Sequence, residues 1–254
     1  MNKTSRQQKL SRRNVLQYGA GIVGASSLTA WLGTGALART VESRTAQNSQ
    51  NQVVVATQAG STEGSLTPDQ ALAKLMEGNQ RFVSSQQLNP NQNGARVVEV
   101  AAGQAPFAAI LSCADSRVVP EIAFDQGLGD LFVVRVAGNV AITEEIASEE
   151  YAVAVLKTPL LVVLGHERCG AVDAAVKGGE FPGVIESLVL ALQPAVKASE
   201  GQAGDRLTNA IKANVRLQVE RLQHSSVIAA AVQEGKLKVV GAYYDLDTGE
   251  VSLV

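Results

Sequence analysis

Four short, largely apolar runs mark out the chain beyond residue 106, at residues 107–111, 131–136, 160–164 and 237–242. None alternates regularly between apolar and polar side chains, so each reads as a strand covered on both faces. Between them apolar residues recur at helical spacing. Helices are expected at 120–124, at 143–157 with Ile146, Val153 and Leu156 on one side, and at 171–177. Further helices are expected at 183–198, kinked at Pro194, then at 205–223 and 226–233. Another begins at Thr67-Pro68-Asp69-Gln70, an N-cap residue, a first-turn proline and an acid at the positive helix end, followed by Leu72, Leu75 and Met76. Short buried strands alternating with helices imply an α/β fold, a mainly parallel β-sheet flanked by helices. Asp247-Thr248-Gly249 before Val251 reads as a turn into an antiparallel edge strand near the C-terminus.

The first part of the chain has a different pattern. Residues 1–38 hold Lys3, Arg6, Lys9, Arg12 and Arg13 and no acid, and a soft run rich in glycine and alanine ends in Ala36-Leu37-Ala38. A basic segment, an apolar run and a small-residue cleavage site make an export signal. The paired arginines in Ser11-Arg12-Arg13 resemble the twin-arginine signal, which directs folded proteins to the periplasm or extracellular space of a bacterium. Residues 15–38 are long enough to span a bilayer, but five glycines make a poor spanning helix, so no stable membrane insertion is expected once the signal is removed. Gly19-Ala20-Gly21-Ile22-Val23-Gly24 matches a dinucleotide-binding pattern by letter only, since no strand precedes it. Residues 39–66 have the composition of a flexible polar linker, and the folded domain is expected at 67–254.

Without residues 1–38 the chain carries 17 basic against 24 acidic residues, and only 4% of the whole sequence is aromatic. It therefore lacks both the basic footprint and the stacking platforms of a nucleic-acid binder, and no nucleic-acid partner is expected.

Ligands of an open parallel sheet bind beyond the carboxyl ends of its strands. After the first expected strand comes Cys113-Ala114-Asp115-Ser116-Arg117, and after the third comes Gly165-His166-Glu167-Arg168-Cys169-Gly170. These hold both cysteines and one of the two histidines. A Cys113–Cys169 disulfide suits an exported protein, and a pair of inert buried thiols is another possibility. Two thiolates and an imidazole equally suit zinc with a fourth position open for water, and export after folding would let the metal load in a reducing cytoplasm. Asp115 and Arg117, two residues apart, can pair beside such a metal. His224 closes a helical pattern, where a capping role fits.

With these motifs, and with Glu77-Gly78-Asn79-Gln80-Arg81-Phe82 and Phe132-Val133-Val134-Arg135 in order, residues 67–254 resemble the β-class carbonic anhydrases, in particular their plant-type branch. The resemblance implies a zinc lyase, a carbonate dehydratase that hydrates carbon dioxide reversibly to bicarbonate and a proton by zinc-hydroxide attack. It implies Cys113, His166 and Cys169 as zinc ligands and Asp115 with Arg117 as a catalytic dyad. Gln104 would bind substrate, and Phe132 and Tyr151 would form an apolar wall. It also implies a homodimer, or a higher even oligomer, with active sites at the subunit interface. Carbon disulfide or carbonyl sulfide hydrolysis on the same zinc site is the nearest alternative, and a non-catalytic zinc-binding protein the more distant one. Val136 replaces an asparagine usual in the family. Ile110 and Ser112 replace a tryptophan and a glycine of the branch regulated by bicarbonate, which implies a constitutively open site.

Overall fold

The computed structural model describes residues 66–254. The expected signal and all but the last residue of the expected linker lie outside them. The described chain forms a five-stranded sheet, with β1 at Ala108–Ser112, β2 at Leu131–Arg135, β3 at Leu160–His166, β4 at Lys238–Tyr244 and β5 at Val251–Leu253. Its order is β2-β1-β3-β4-β5, parallel throughout except for the antiparallel β4–β5 pair. The helices are α1 (Pro68–Val83), α2 (Gly94–Val100), α3 (Pro120–Ala123), α4 (Thr143–Ala154), α5 (Gly170–Lys177), α6 (Ile185–Ala198), α7 (Arg206–Gln223) and α8 (Ser226–Gln233). Among them no helix is long and apolar enough to cross a membrane.

The period-2 geometry of a strand sends successive residues to opposite faces. Ala108 and Ile110 of β1 and Leu160, Val162 and Leu164 of β3 accordingly face one core with Ala71 and Leu75 of α1. Ala109 and Leu111, with Leu161 and Val163, face a second core with Ala152 and Val153 of α4 and Leu222 of α7. Both strands are buried throughout. A fully buried aliphatic side chain contributes about 1.5–3 kcal/mol, whereas an exposed ion pair contributes about 0–1 kcal/mol, so burial on two faces holds this sheet.

β2 departs from the expectation of full burial. It is an edge strand, half-buried from Leu131 to Val134 and exposed at Arg135, because among the described residues no strand pairs with its outer side. α4 ends at Ala154, short of the expected 157, because Lys157 takes a left-handed φ of 60° just before Pro159. α2 was not expected. It is capped by Asn93, buries no residue and so shows no apolar stripe, leaving Val97 and Val98 exposed.

α1 shows how the motif around residue 79 is used. Thr67 Oγ1 accepts from Gln70 N and Gln70 Oε1 accepts from Thr67 N, a reciprocal cap. A Cβ at Gly78 would lie 1.8 Å from the Phe124 carbonyl oxygen, so only glycine lets α1 come this close to the end of α3. Asn79 donates to the Ala123 and Gly249 carbonyls at 2.9 and 2.8 Å and accepts from Val251 N, tying α1 to the C-terminal hairpin.

On the face of α4 that packs against the sheet, between Ile146 and Val153, stands Glu149, fully buried with neither carboxyl oxygen hydrogen-bonded to any described residue. Burial pushes its pKa from 4.5 up to about 8. Between these values the native chain keeps a proton that the unfolded chain releases, so stability falls as pH rises through this window and levels off above it. Glu149→Gln removes that linkage. Thermal melting from pH 4.5 to 9 should show the variant gaining on the parent with rising pH, by up to about 1.4 kcal/mol per pH unit; parallel curves would refute the buried acid.

Candidate metal centre

The β1–β3 register pairs Ser112 with Leu164. Cys113 is the next residue after β1, His166 is the last of β3, and Cys169 is the N-cap of α5. The chain thus delivers three side chains to the carboxyl ends of adjacent parallel strands, and their ligand atoms all lie within 4.8 Å of one another. All three are buried.

The two sulfurs are 4.0 Å apart and both cysteines are free. That is twice a disulfide bond length of about 2.0 Å. It matches the roughly 3.8 Å between two thiolates at about 2.3 Å from one tetrahedral zinc. His166 Nδ1 donates to the Glu167 carbonyl at 2.8 Å, which fixes the tautomer and leaves the Nε2 lone pair free. Among the described residues Nε2 is buried with no hydrogen-bond partner. An orphaned imidazole nitrogen facing two thiols is the donor set of a zinc ion, so the residues fit the metal.

The Cys113 thiol is pulled down by hydrogen bonds, first from the Cys169 thiol at 4.0 Å and also from the Gly138 N–H, which lies 3.3 Å from the sulfur. Cys169 is pushed up by donating to Cys113 and by burial. One thiolate thus forms within the pair, and a bound cation would compensate both.

Asp115 and Arg117 form a bidentate pair, with Arg117 Nε to Oδ1 at 2.9 Å and Nη2 to Oδ2 at 2.7 Å, and the Arg117 N–H adds a third bond at 2.9 Å. The guanidinium hydrogen bonds hold the Asp115 carboxyl well below the usual carboxylate range, so it is ionised throughout neutral pH. Its Oδ2 stands 3.8 Å from His166 Nε2.

Arg135, quoted in the sequence only as part of a motif, organises this loop. Its Nε donates to the Cys113 carbonyl at 3.0 Å, and its Nη2 donates to the Asp115 and Val118 carbonyls at 2.6 and 2.8 Å. An arginine ending an apolar strand run was the available signal.

Gln104, Phe132 and Tyr151 lie elsewhere in the chain. Gln104 is exposed in the loop before β1, and Phe132 pairs with Ala109, also toward the amino end of the strands. The Tyr151 ring sits 6.3 Å from that of Phe132 and the residue is 46% exposed. Val136 continues the β1–β2 ladder, exchanging backbone bonds with Ser112 and Ala114. Ile110 and Ser112 are fully buried. His224 caps α7, its Nδ1 2.7 Å from the Glu220 carbonyl.

The sequence profile of the carbonic anhydrases matches residues 108–251, more than half of the chain. The chain belongs to the β-class carbonic anhydrase family. It is 43% identical to carbonic anhydrase 2 of Mycobacterium tuberculosis over 191 residues, covering 73% of this chain and 92% of that protein. It is 42% identical to the carbonic anhydrase of Mycolicibacterium smegmatis, covering 73% and 93%. Its fold is similar to a tetrameric β-carbonic anhydrase of Sordaria macrospora, with a TM-score of 0.59 at 26% identity, covering 72% of this chain and 96% of the other. As a β-class carbonic anhydrase the chain is a zinc enzyme, a lyase that hydrates carbon dioxide.

Each protein ligand is one of only three, so Cys113→Ser or His166→Ala should abolish zinc retention along with activity. Metal analysis after gel filtration against a chelator would show this, and full zinc occupancy in either variant would overturn the ligand assignment.

Proposed function

We propose that this β-class carbonic anhydrase interconverts carbon dioxide and bicarbonate at the Cys113, His166 and Cys169 centre, with Asp115 and Arg117 organising the reacting water. The observation that carries this reading is the bidentate Asp115–Arg117 pair beside an imidazole nitrogen with no partner. Zinc, when bound, supplies the Lewis acidity that makes water nucleophilic near neutral pH. Arg117 keeps Asp115 ionised, so the carboxylate can accept a hydrogen bond from the water and hold its lone pair toward carbon dioxide. The same pairing engages both Asp115 carboxylate oxygens with Arg117, which supports a site open at neutral pH.

In this reading the chain works as a homodimer, and Gln104, Phe132 and Tyr151 serve the site of a second copy. Support comes from the pairing of Phe132 with Ala109 at the strand end opposite Cys113, from the outer side of β2, which no described strand covers, and from the exposed Tyr151, Val97 and Val98. The protein acts in the periplasm, delivered by the twin-arginine segment around Arg12 and Arg13.

Two experiments follow. Asp115→Asn keeps the shape and removes the anionic acceptor, so zinc should remain at the parent level while turnover falls about 10–100-fold; unchanged turnover would remove Asp115 from the reaction. Arg12→Lys with Arg13→Lys preserves charge but not guanidinium geometry, so periplasmic yield should collapse. Normal export of that double variant would refute the twin-arginine route.

A further inference from the structure

The two residues between His166 and Cys169 are held from outside the metal centre. Arg168 has a left-handed φ of 51°, a strained conformation for any residue but glycine. The turn it makes lets residues 166 and 169 converge, and its own carbonyl receives Arg117 Nη2 at 3.4 Å. The Arg168 guanidinium meanwhile reaches away to the turn between β4 and β5. It bonds Asp247 through Nη1 at 3.0 Å and Nη2 at 2.6 Å, and Glu167 Oε1 at 3.1 Å.

That turn is itself rigid. Asp245 Oδ1 accepts from Asp247 N, Thr248 N and Thr248 Oγ1 at 2.8–2.9 Å. Asn79 holds it to α1 through the Gly249 carbonyl and Val251 N. Glu167 joins the same turn from both sides, its N–H to the Tyr244 carbonyl at 2.8 Å and its Oε2 accepting from Leu246 N at 3.1 Å. The Glu167 carbonyl is the group that orients the His166 ring.

We propose that Asp247 and Arg168 are positioning residues for the reaction: their ion pair straps the zinc loop to the C-terminal hairpin, holding Arg168 left-handed so that His166, Cys169 and Arg117 keep their relative geometry. The inference rests on Cys113, His166 and Cys169 being the ligand set. An ordinary exposed ion pair would contribute little, and these side chains are 48% and 69% exposed. This pair differs in being bidentate, in sharing its arginine with Glu167, and in ending on a residue whose backbone needs restraint.

Zinc release from the full-length, metal-loaded protein to a colorimetric chelator tests the strap, together with the thiolate-to-metal absorption bands of the cobalt-substituted form. Asp247→Asn should speed release about tenfold and shift the cobalt bands while the melting temperature of the zinc form stays within a few degrees of the parent. Glycine adopts the left-handed conformation without help, so adding Arg168→Gly to Asp247→Asn should restore slow release and the parent spectrum, a non-additivity that a general loss of stability would not give. Parent-like release and spectrum in Asp247→Asn alone would overturn the proposal, and so would faster release that Arg168→Gly leaves uncorrected. Cys113→Ser run in parallel keeps the two claims apart. If it retains zinc, the ligand assignment fails; if it loses zinc while Asp247→Asn behaves like the parent, only the strap fails.

Discussion

The metal centre depends on one register, the parallel pairing of β1 with β3. Because Ser112 stands opposite Leu164, Cys113 leaves its strand beside the end of β3, where His166 waits and Cys169 follows within one turn. The register is fixed by packing far from the site. Alternate residues of both strands enter two different cores, so a slip by one residue would send Leu161 and Val163 into the wrong face and carry Cys113 away from His166. The chemistry is thus specified by aliphatic burial before any ligand group acts.

What the cores bring together, polar groups then hold. Three buried donors with an unpartnered imidazole nitrogen would be a costly arrangement if nothing compensated them, and a divalent cation is the compensation that suits two sulfurs and a nitrogen. Arg135 pins the backbone of the loop carrying Cys113 and Asp115, while Arg117 takes the Asp115 carboxylate. Three arginines, including Arg168, therefore surround the centre, and each acts through oxygen acceptors rather than on the sulfurs.

Much of this was legible in the sequence because it is local. Continuous apolar runs marked β1, β3 and β4, the Asp247-Thr248-Gly249 turn marked the antiparallel β5, and the cysteines and histidine stood out by their places at strand ends. The features that were not legible depend on what lies across space. β2 carries the letters of a buried strand yet lies at an edge, which only sheet order decides. α2 has no buried stripe to betray it. The bonds of Arg135 to three carbonyls, and of Arg168 to a turn almost eighty residues later in the chain, leave no pattern along the sequence. Gln104, Phe132 and Tyr151 carry family letters, but Phe132 pairs with Ala109 toward the amino end of the strands, opposite the end that carries the ligands, and no pattern along the sequence tells the two ends apart.

The central claim is that this fold places two thiolates and one imidazole on a single zinc. X-ray absorption at the zinc edge, on the full-length protein purified without added metal, addresses it most directly. The account predicts two sulfur neighbours at about 2.3 Å and nitrogen or oxygen neighbours at about 2.0–2.1 Å. A zinc shell without sulfur, or a metal-free protein with Cys113 bonded to Cys169, would contradict it.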